Sequence, residues 1–306
     1  MEAAAGTGEA DLTFAPHRTD FGTPKSGLPS GPGGLSNLYT LEYMYSEPPL
    51  SARMTPVASR TARATSPPAK VAVITGASRG LGRVLAGFLA KQGTALVIDA
   101  RGEAELRAAA DELQAFNPAV VAIHGDVRDA RHRTRLLRAA GEWGRLDVLV
   151  NNASDLGDTP LPSLIEAGRE RFLRVLDTNV LAPLALIREA LPLLTRSHGL
   201  VVNVTSDAAV GGYPGWGEYG ASKAALDLVS KTLAAELKER GVGVVSVDPG
   251  DMRTRMHQDA YPGQDISDRP LPDVTLPFWA WLLSQDPAKV SGGRYQAQAA
   301  VWEVPA

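Results

Sequence analysis

Tyr219 and Lys223 stand four residues apart in the segment Tyr219-Gly220-Ala221-Ser222-Lys223. On a helix, positions i and i+4 share a face, so phenol and ammonium point the same way. A free tyrosine titrates near ~10, too high for proton transfer at neutral pH. A neighbouring ammonium favours the phenolate and lowers that value. The pair therefore suits general acid–base chemistry, although Y-x-x-x-K is also a common surface pair on amphipathic helices. A second segment able to do chemistry is Thr75-Gly76-Ala77-Ser78-Arg79-Gly80-Leu81-Gly82. Gly76 allows a tight turn, Gly80 lets backbone N–H groups approach a pyrophosphate, and Gly82 permits close helix–strand packing. A helix starting here would aim its positive N-terminus at the anion.

These segments need elements to hold them. VAVIT (71–75) is a short apolar run, as expected of a strand buried on both faces. Further strands are expected at 95–99, 120–124, 147–151, 200–205, 243–247 and 294–298. Helical segments are expected between them at about 103–116, 129–141, 166–197, 217–240 and 272–284. Such alternation implies a parallel sheet covered on both faces. Right-handed crossovers make it an α/β, Rossmann-type, doubly wound sheet of about seven strands in one domain, residues 70–306. The glycine loop then follows the first strand and opens the first helix, the context that identifies a nucleotide-binding loop.

Residues 1–69 differ. They hold nine of the 22 prolines and little apolar periodicity, and read as a disordered extension. The start has neither the basic nor the apolar stretch of a secretory signal. Residues 51–66 are rich in Arg and Ser and free of acids, like a transit peptide, but their internal place favours a solvated linker. Met44 and Met54 are alternative starts. Across all 306 residues the net charge is -3 and 44% are hydrophobic. This balance gives no reason to expect a nucleic-acid or membrane partner, and no apolar run reaches the ~18 residues of a membrane helix. The chain has no cysteine, which excludes disulfides, zinc–thiolate sites, iron–sulfur clusters and a cysteine nucleophile. Its five histidines show no metal-ligand spacing, so no metal is expected. The expected location is cytoplasmic.

The TGASRGLG loop together with the Tyr219–Lys223 pair resembles the short-chain dehydrogenase/reductase family, over about residues 70–298. The resemblance implies a nicotinamide dinucleotide across the carboxyl edge of the sheet, near Gly76, Ser78, Arg79, Gly80, Leu81 and Gly82. It places Asp126 and Val127 beside the adenine, and Asn152 and Ala153 in the loop after the fourth strand. Ser154 departs from the family's N-N-A-G there. Ser206, thirteen residues before Tyr219, matches the substrate-orienting serine, with Thr205 as its neighbouring competitor. Asn179 matches the helix asparagine that holds a water linking Lys223 to solvent. Pro249, Gly250 and Thr254 match the P-G-x-x-x-T segment that meets the nicotinamide carboxamide. Tyr219 and Lys223 also meet the nicotinamide ribose, and an oxidised nicotinamide adds positive charge near the phenol. The C-terminal segment lacks the D-G-G of many relatives.

An acid after the second strand accepts from a ribose 2'-OH, whereas arginine accommodates a 2'-phosphate. Asp99 invites NAD(H). In the family's alignment the discriminating position falls on Ala100, with Arg101 next to it, and Arg79 is a second guanidinium suited to phosphate. NADP(H) is the favoured cofactor and NAD(H) the alternative. The implied activity is hydride transfer between a small-molecule carbonyl and an alcohol, with Tyr219 as general acid/base. The competing readings are a nucleotide-sensing protein without catalysis, and an epimerase or dehydratase with bound cofactor. The family also implies a homodimer or homotetramer through the 166–197 and 217–240 helices. Substrate choice is expected from Asp155–Pro162, Ala208–Glu218 and Arg255–Pro272, the last read as a polar, mobile lid.

Overall fold

The computed structural model describes residues 68–305. The extension expected before Lys70 lies almost entirely outside the described residues, as do Met44 and Met54. Seven strands form one parallel sheet: β1 (Val71–Ile74), β2 (Ala95–Ala100), β3 (Val120–His124), β4 (Val148–Asn151), β5 (Leu200–Val204), β6 (Gly243–Asp248) and β7 (Arg294–Gln296). Their order is β3-β2-β1-β4-β5-β6-β7, every pair parallel. The continuous apolar runs are explained by alternation between two cores. Ala72, Ile74, Leu96, Ile98, Val202 and Val245 enter one. Val71, Val73, Val97, Leu149, Val201 and Val244 enter the other.

Helices α1 (Gly80–Lys91) and α2 (Glu103–Gln114) cover the first face, joined by α8 (Leu276–Ser284). Helices α3 (Ala130–Gly141), α5 (Ala182–Ser197) and α6 (Gly217–Glu236) cover the second. The remaining helices are short: α4 (Arg169–Leu176), α7 (Arg255–Ala260) and α9 (Pro287–Val290). Among the described residues no helix is long and apolar enough to cross a membrane. The strand order reverses at β1, which lies between β2 and β4. Such a switch leaves a crevice at the strands' carboxyl ends.

The continuous helix expected over 166–197 is interrupted. After α4 the chain makes one wide turn with i→i+5 bonding, Asp177–Leu181, before α5. Pro183 stands in the first turn of α5. It has no N–H to give to the Asn179 carbonyl four residues back, which favours a wide turn there, although Pro192 farther along is carried inside α5 without a break. The 217–240 segment likewise ends as α6, followed by a tight turn at Lys238–Arg240. α7 and α9 lie where no helix was expected.

Phe278 and Trp279 of α8 are fully buried, and Trp279 donates Nε1–H to Thr275 Oγ1 at 3.1 Å. Trp279→Ala is expected to destabilise the domain by about 3–5 kcal/mol. Urea unfolding that shows an unchanged midpoint would contradict this account of the first core.

Candidate active site

A crevice of about 400 Å³ runs across the carboxyl edge of the sheet. Its walls include Gly76, Ser78, Arg79, Gly80, Leu81, Asp126, Val127, Asn152, Ala153, Tyr219, Lys223, Pro249 and Thr254, all expected from the sequence. Gly82, Asn179, Ser206 and Gly250 adjoin residues of these walls without being among them. At Gly76 φ is +68°, and an added Cβ would lie 2.9 Å from the Ala153 Cα. At Gly82 a Cβ would lie 2.5 Å from Asn152 Nδ2 and 2.6 Å from the Gly76 carbonyl. These two positions hold the β1 and β4 loops in backbone contact, which side chains would prevent. Asn152 completes the brace, donating to the Thr75 and Gly76 carbonyls at 2.8 and 3.1 Å. The first turn of α1 has no side-chain cap. Its N–H groups open on the crevice and suit a pyrophosphate.

Arg79 and Arg101 are exposed, and among the described residues neither guanidinium is paired. Asp99 and Arg101 also line the crevice, as expected, but the Asp99 carboxylate is turned inward. It is 1% exposed and both oxygens are engaged. Oδ1 accepts from Gly76 N–H and Oδ2 meets His132 Nε2, each at 2.8 Å. Burial pushes its pKa above the usual carboxylate value, while His132 and the Gly76 N–H oppose that. Asp126 is ion-paired to Arg128 at 2.6 Å, and that hydrogen-bonded guanidinium holds its carboxyl below the ordinary value.

At the other end α6 carries Tyr219 and Lys223. Lys223 Nζ donates to the Val204 carbonyl at 2.8 Å and lies 5.4 Å from the Tyr219 ring centroid. The Ser206 and Ser154 hydroxyls both act on the phenol and favour its ionised form, while Ser206 Oγ donates to Asp207 Oδ1 at 2.9 Å and Ser154 Oγ to Asn179 Oδ1 at 3.1 Å. Ser154, noticed in the sequence only as a departure, thus brings a second hydroxyl to the neighbourhood of the phenol. Asn179 is 1% exposed and its amide is spent. It accepts from Ser154 Oγ and Asp155 N–H, and donates to the Asp155 carbonyl and Ser222 Oγ, all at 2.8–3.1 Å. Its side chain is therefore a tie between the β4 loop and α6, not a handhold for water. The group left there without its usual donor is the Asn179 carbonyl, through Pro183.

The expectation of an acidified phenol is corrected. Leu156, Trp216, Met256 and Tyr261 pack around Tyr219, which is 7% exposed. Burial raises the phenol's pKa well above its ordinary value, outweighing the two serine hydroxyls. Burial also pushes Lys223 down to about 8, against the pull of Asp227. The phenol accordingly keeps its proton at neutral pH.

Arg294 of β7 was not foreseen. It donates to Asp227 Oδ2 at 2.9 Å and to the Ser206 carbonyl at 2.8 Å, and lies 3.5 Å from Asp248. One guanidinium thereby joins α6, the end of β5 and the end of β6. Gln298 donates to the Pro249 and Asp251 carbonyls at 2.9 and 3.0 Å, tying the β6 turn where the D-G-G residues were missing. The 255–272 segment is less polar than expected, because α7 places Met256 and Ala260 against the Tyr219 cluster.

The sequence pattern of the short chain dehydrogenase family matches residues 70–265. The chain is 33% identical over 245 residues to an uncharacterised oxidoreductase of Methylorubrum extorquens, covering 76% of this chain and 97% of that protein. It is 32% identical over 244 residues to a 3-oxoacyl-(acyl-carrier-protein) reductase of Staphylococcus aureus, covering 74% and 98%. A short chain dehydrogenase of Shigella flexneri, solved in complex with NADP, superposes with a TM-score of 0.70 at 29% identity, covering 76% and 98%. The chain therefore belongs to the short-chain dehydrogenase/reductase family, nicotinamide-dependent oxidoreductases that interconvert alcohols and carbonyls.

The depressed Lys223 value fixes a sign. Between pH 8 and 10 the folded chain binds fewer protons at Lys223 than the unfolded chain, so stability rises with pH in that window. Lys223→Met lacks this rise, while the opposing influence of Tyr219 is common to both proteins. Urea unfolding across pH 8–10 should show the wild type gaining about 2–3 kcal/mol on the variant. Parallel curves would contradict the burial of a chargeable amine.

Proposed function

We propose that the protein is an NADP(H)-dependent carbonyl reductase in which Tyr219 is the proton donor. The observation that carries this reading is a buried phenol, with two serine hydroxyls and a lysine beside it, at one end of a crevice. The other end presents an uncapped helix N-terminus with Arg79 and Arg101 unpaired beside it. The dinucleotide would lie along Gly76, Ser78–Leu81, Val127, Asn152, Pro249 and Thr254. When bound, it supplies the hydride that reduces the carbonyl carbon.

This chain's groups handle the oxygen. Ser206 and Ser154 orient the substrate carbonyl beside the phenol. Tyr219 gives its O–H proton to the oxygen as negative charge develops there, leaving a transient phenolate and a neutral alcohol. Lys223, bonded to the Val204 carbonyl, supports that phenolate with its charge and has protons to return. The Asn179 carbonyl, which Pro183 cannot donate to, would be the place for a water that connects Lys223 to solvent. In the oxidative direction the same protons travel in reverse.

Leu156, Leu161, Trp216, Met256 and Tyr261 form an apolar surround to the phenol, which suits a carbonyl on a hydrophobic body. Arg79 and Arg101 favour NADP(H), as does the withdrawal of Asp99; the S. flexneri relative solved with NADP points the same way. Exposed Leu181 on the wide turn before α5 and exposed Leu228 on α6 support a homodimer or homotetramer through these helices.

Tyr219→Phe is expected to lower kcat by at least a thousandfold while NADPH binds within about twofold of wild type, followed by NADPH absorbance and fluorescence titration. Retained turnover would refute the assignment. Arg101→Ala is expected to lower kcat/KM for NADPH about tenfold or more and to leave that for NADH nearly unchanged. Equal losses with both cofactors would remove Arg101 from the 2'-phosphate.

A further inference from the structure

Asp99, on the crevice wall, and His132 behind it form a buried pair, each 1% exposed. Both are anomalous where they stand. Asp99 is the next-to-last residue of β2, whose other residues are apolar, and His132 lies on the α3 face directed at the sheet. Isolated groups of this kind would be costly to bury, so their partners carry the explanation. Arg135 Nη2 donates to His132 Nδ1 at 3.2 Å and to the His124 carbonyl at 3.2 Å. Arginine is always a donor, so Nδ1 must offer its lone pair and the ring proton must sit on Nε2. That proton points at Asp99 Oδ2, 2.8 Å away.

The chain of bonds continues into the nucleotide site. Asp99 Oδ1 accepts from Gly76 N–H at 2.8 Å, and the Asp99 main-chain carbonyl accepts from Ala77 N–H at 2.8 Å. The ring also sets the next loop. A Cβ on Gly125 would overlap the His132 ring, and Gly125 N–H bonds the Ala100 carbonyl at 3.0 Å. Gly125 immediately precedes Asp126 and Val127 on the crevice wall. One imidazole thus seats the strand end, the first glycine of the phosphate loop and the start of the adenine-side loop.

We infer that His132, which lies outside the crevice, is a positioning residue for the dinucleotide: it holds Asp99 turned inward, so that Asp99 braces the phosphate loop and presents no carboxylate to the adenosine ribose. This rests on the NADP(H) reading above. Without His132 the brace on Gly76 loosens. The carboxylate that remains is then released toward a 2'-phosphate that it would repel.

The test is equilibrium binding of NADPH to the cofactor-free protein, with thermal melting as the control for folding. A buried polar pair replaced by two apolar residues is often neutral or stabilising. Asp99→Leu/His132→Leu is therefore expected to melt close to wild type, yet to bind NADPH at least about tenfold more weakly. His132→Gln keeps an N–H near Nε2 and is expected to bind within about threefold of wild type. Wild-type affinity in the paired leucine variant overturns the inference alone. Absence of NADPH binding by the wild type overturns the proposed function and this inference with it. If the paired variant does not fold, nitrogen-15 spectra of the wild type decide. A neutral His132 carrying its proton on Nε2, with a slowly exchanging Gly76 amide, supports the strut, and a proton on Nδ1 overturns it.

Discussion

The hydrogen bond from Lys223 Nζ to the Val204 carbonyl, 2.8 Å long and fully buried, is the contact on which the arrangement turns. It pins α6 to the carboxyl end of β5. Once α6 is seated there, Tyr219 one turn earlier must lie over the end of the sheet, and Ser206, two residues past Val204, must lie beside it. A buried polar ladder fixes the same seat from below: Asn151 donates to Asn203 and Asn203 to Ser230, both at 2.8 Å. These bonds satisfy groups that would otherwise be costly to bury, and they admit one register of helix against sheet.

Burial does two opposed things at this seat. It stabilises the protonated phenol and discourages the charged amine, so before any ligand arrives the pair resembles a neutral acid beside a weakened base. That state suits donation of a proton to an oxygen gaining charge. The phenol's neighbours matter as much as the lysine, because the aromatic and aliphatic cover from Trp216, Tyr261, Leu156 and Met256 buries the phenol and so sets the direction of its shift. Arg294 adds a second balance by neutralising Asp227 and Asp248, whose charges would otherwise weigh on the lysine and the phenol.

Much of this was legible in the chain. The strands announced themselves because a doubly covered parallel sheet demands uninterrupted apolar runs. The glycine loop and the Tyr–Lys spacing are local patterns, and local patterns survive folding. Asp99 was misplaced because its fate depends on a histidine far along the chain, and no spacing rule connects them. The phenol's protonation was misjudged for the same reason: i,i+4 geometry gives the amine but not the hydrophobic cover brought from three other segments. The break before α5 had a readable signal in Pro183, and Ser154 had one in the missing glycine. Arg294 had none, since an arginine on a short last strand looks like an ordinary surface residue.

The position of that arginine has a mechanical consequence. β7 is the outermost rung of the sheet and only three residues long, and the margin of a sheet is where opening costs least. The phosphate loop, by contrast, hangs from β1 at the centre. Partial fraying of the margin would unclip the serine's carbonyl and two carboxylates while the nucleotide half stayed intact. Heat or denaturant should accordingly silence turnover before it expels the dinucleotide, so that the molecule grows idle while still loaded.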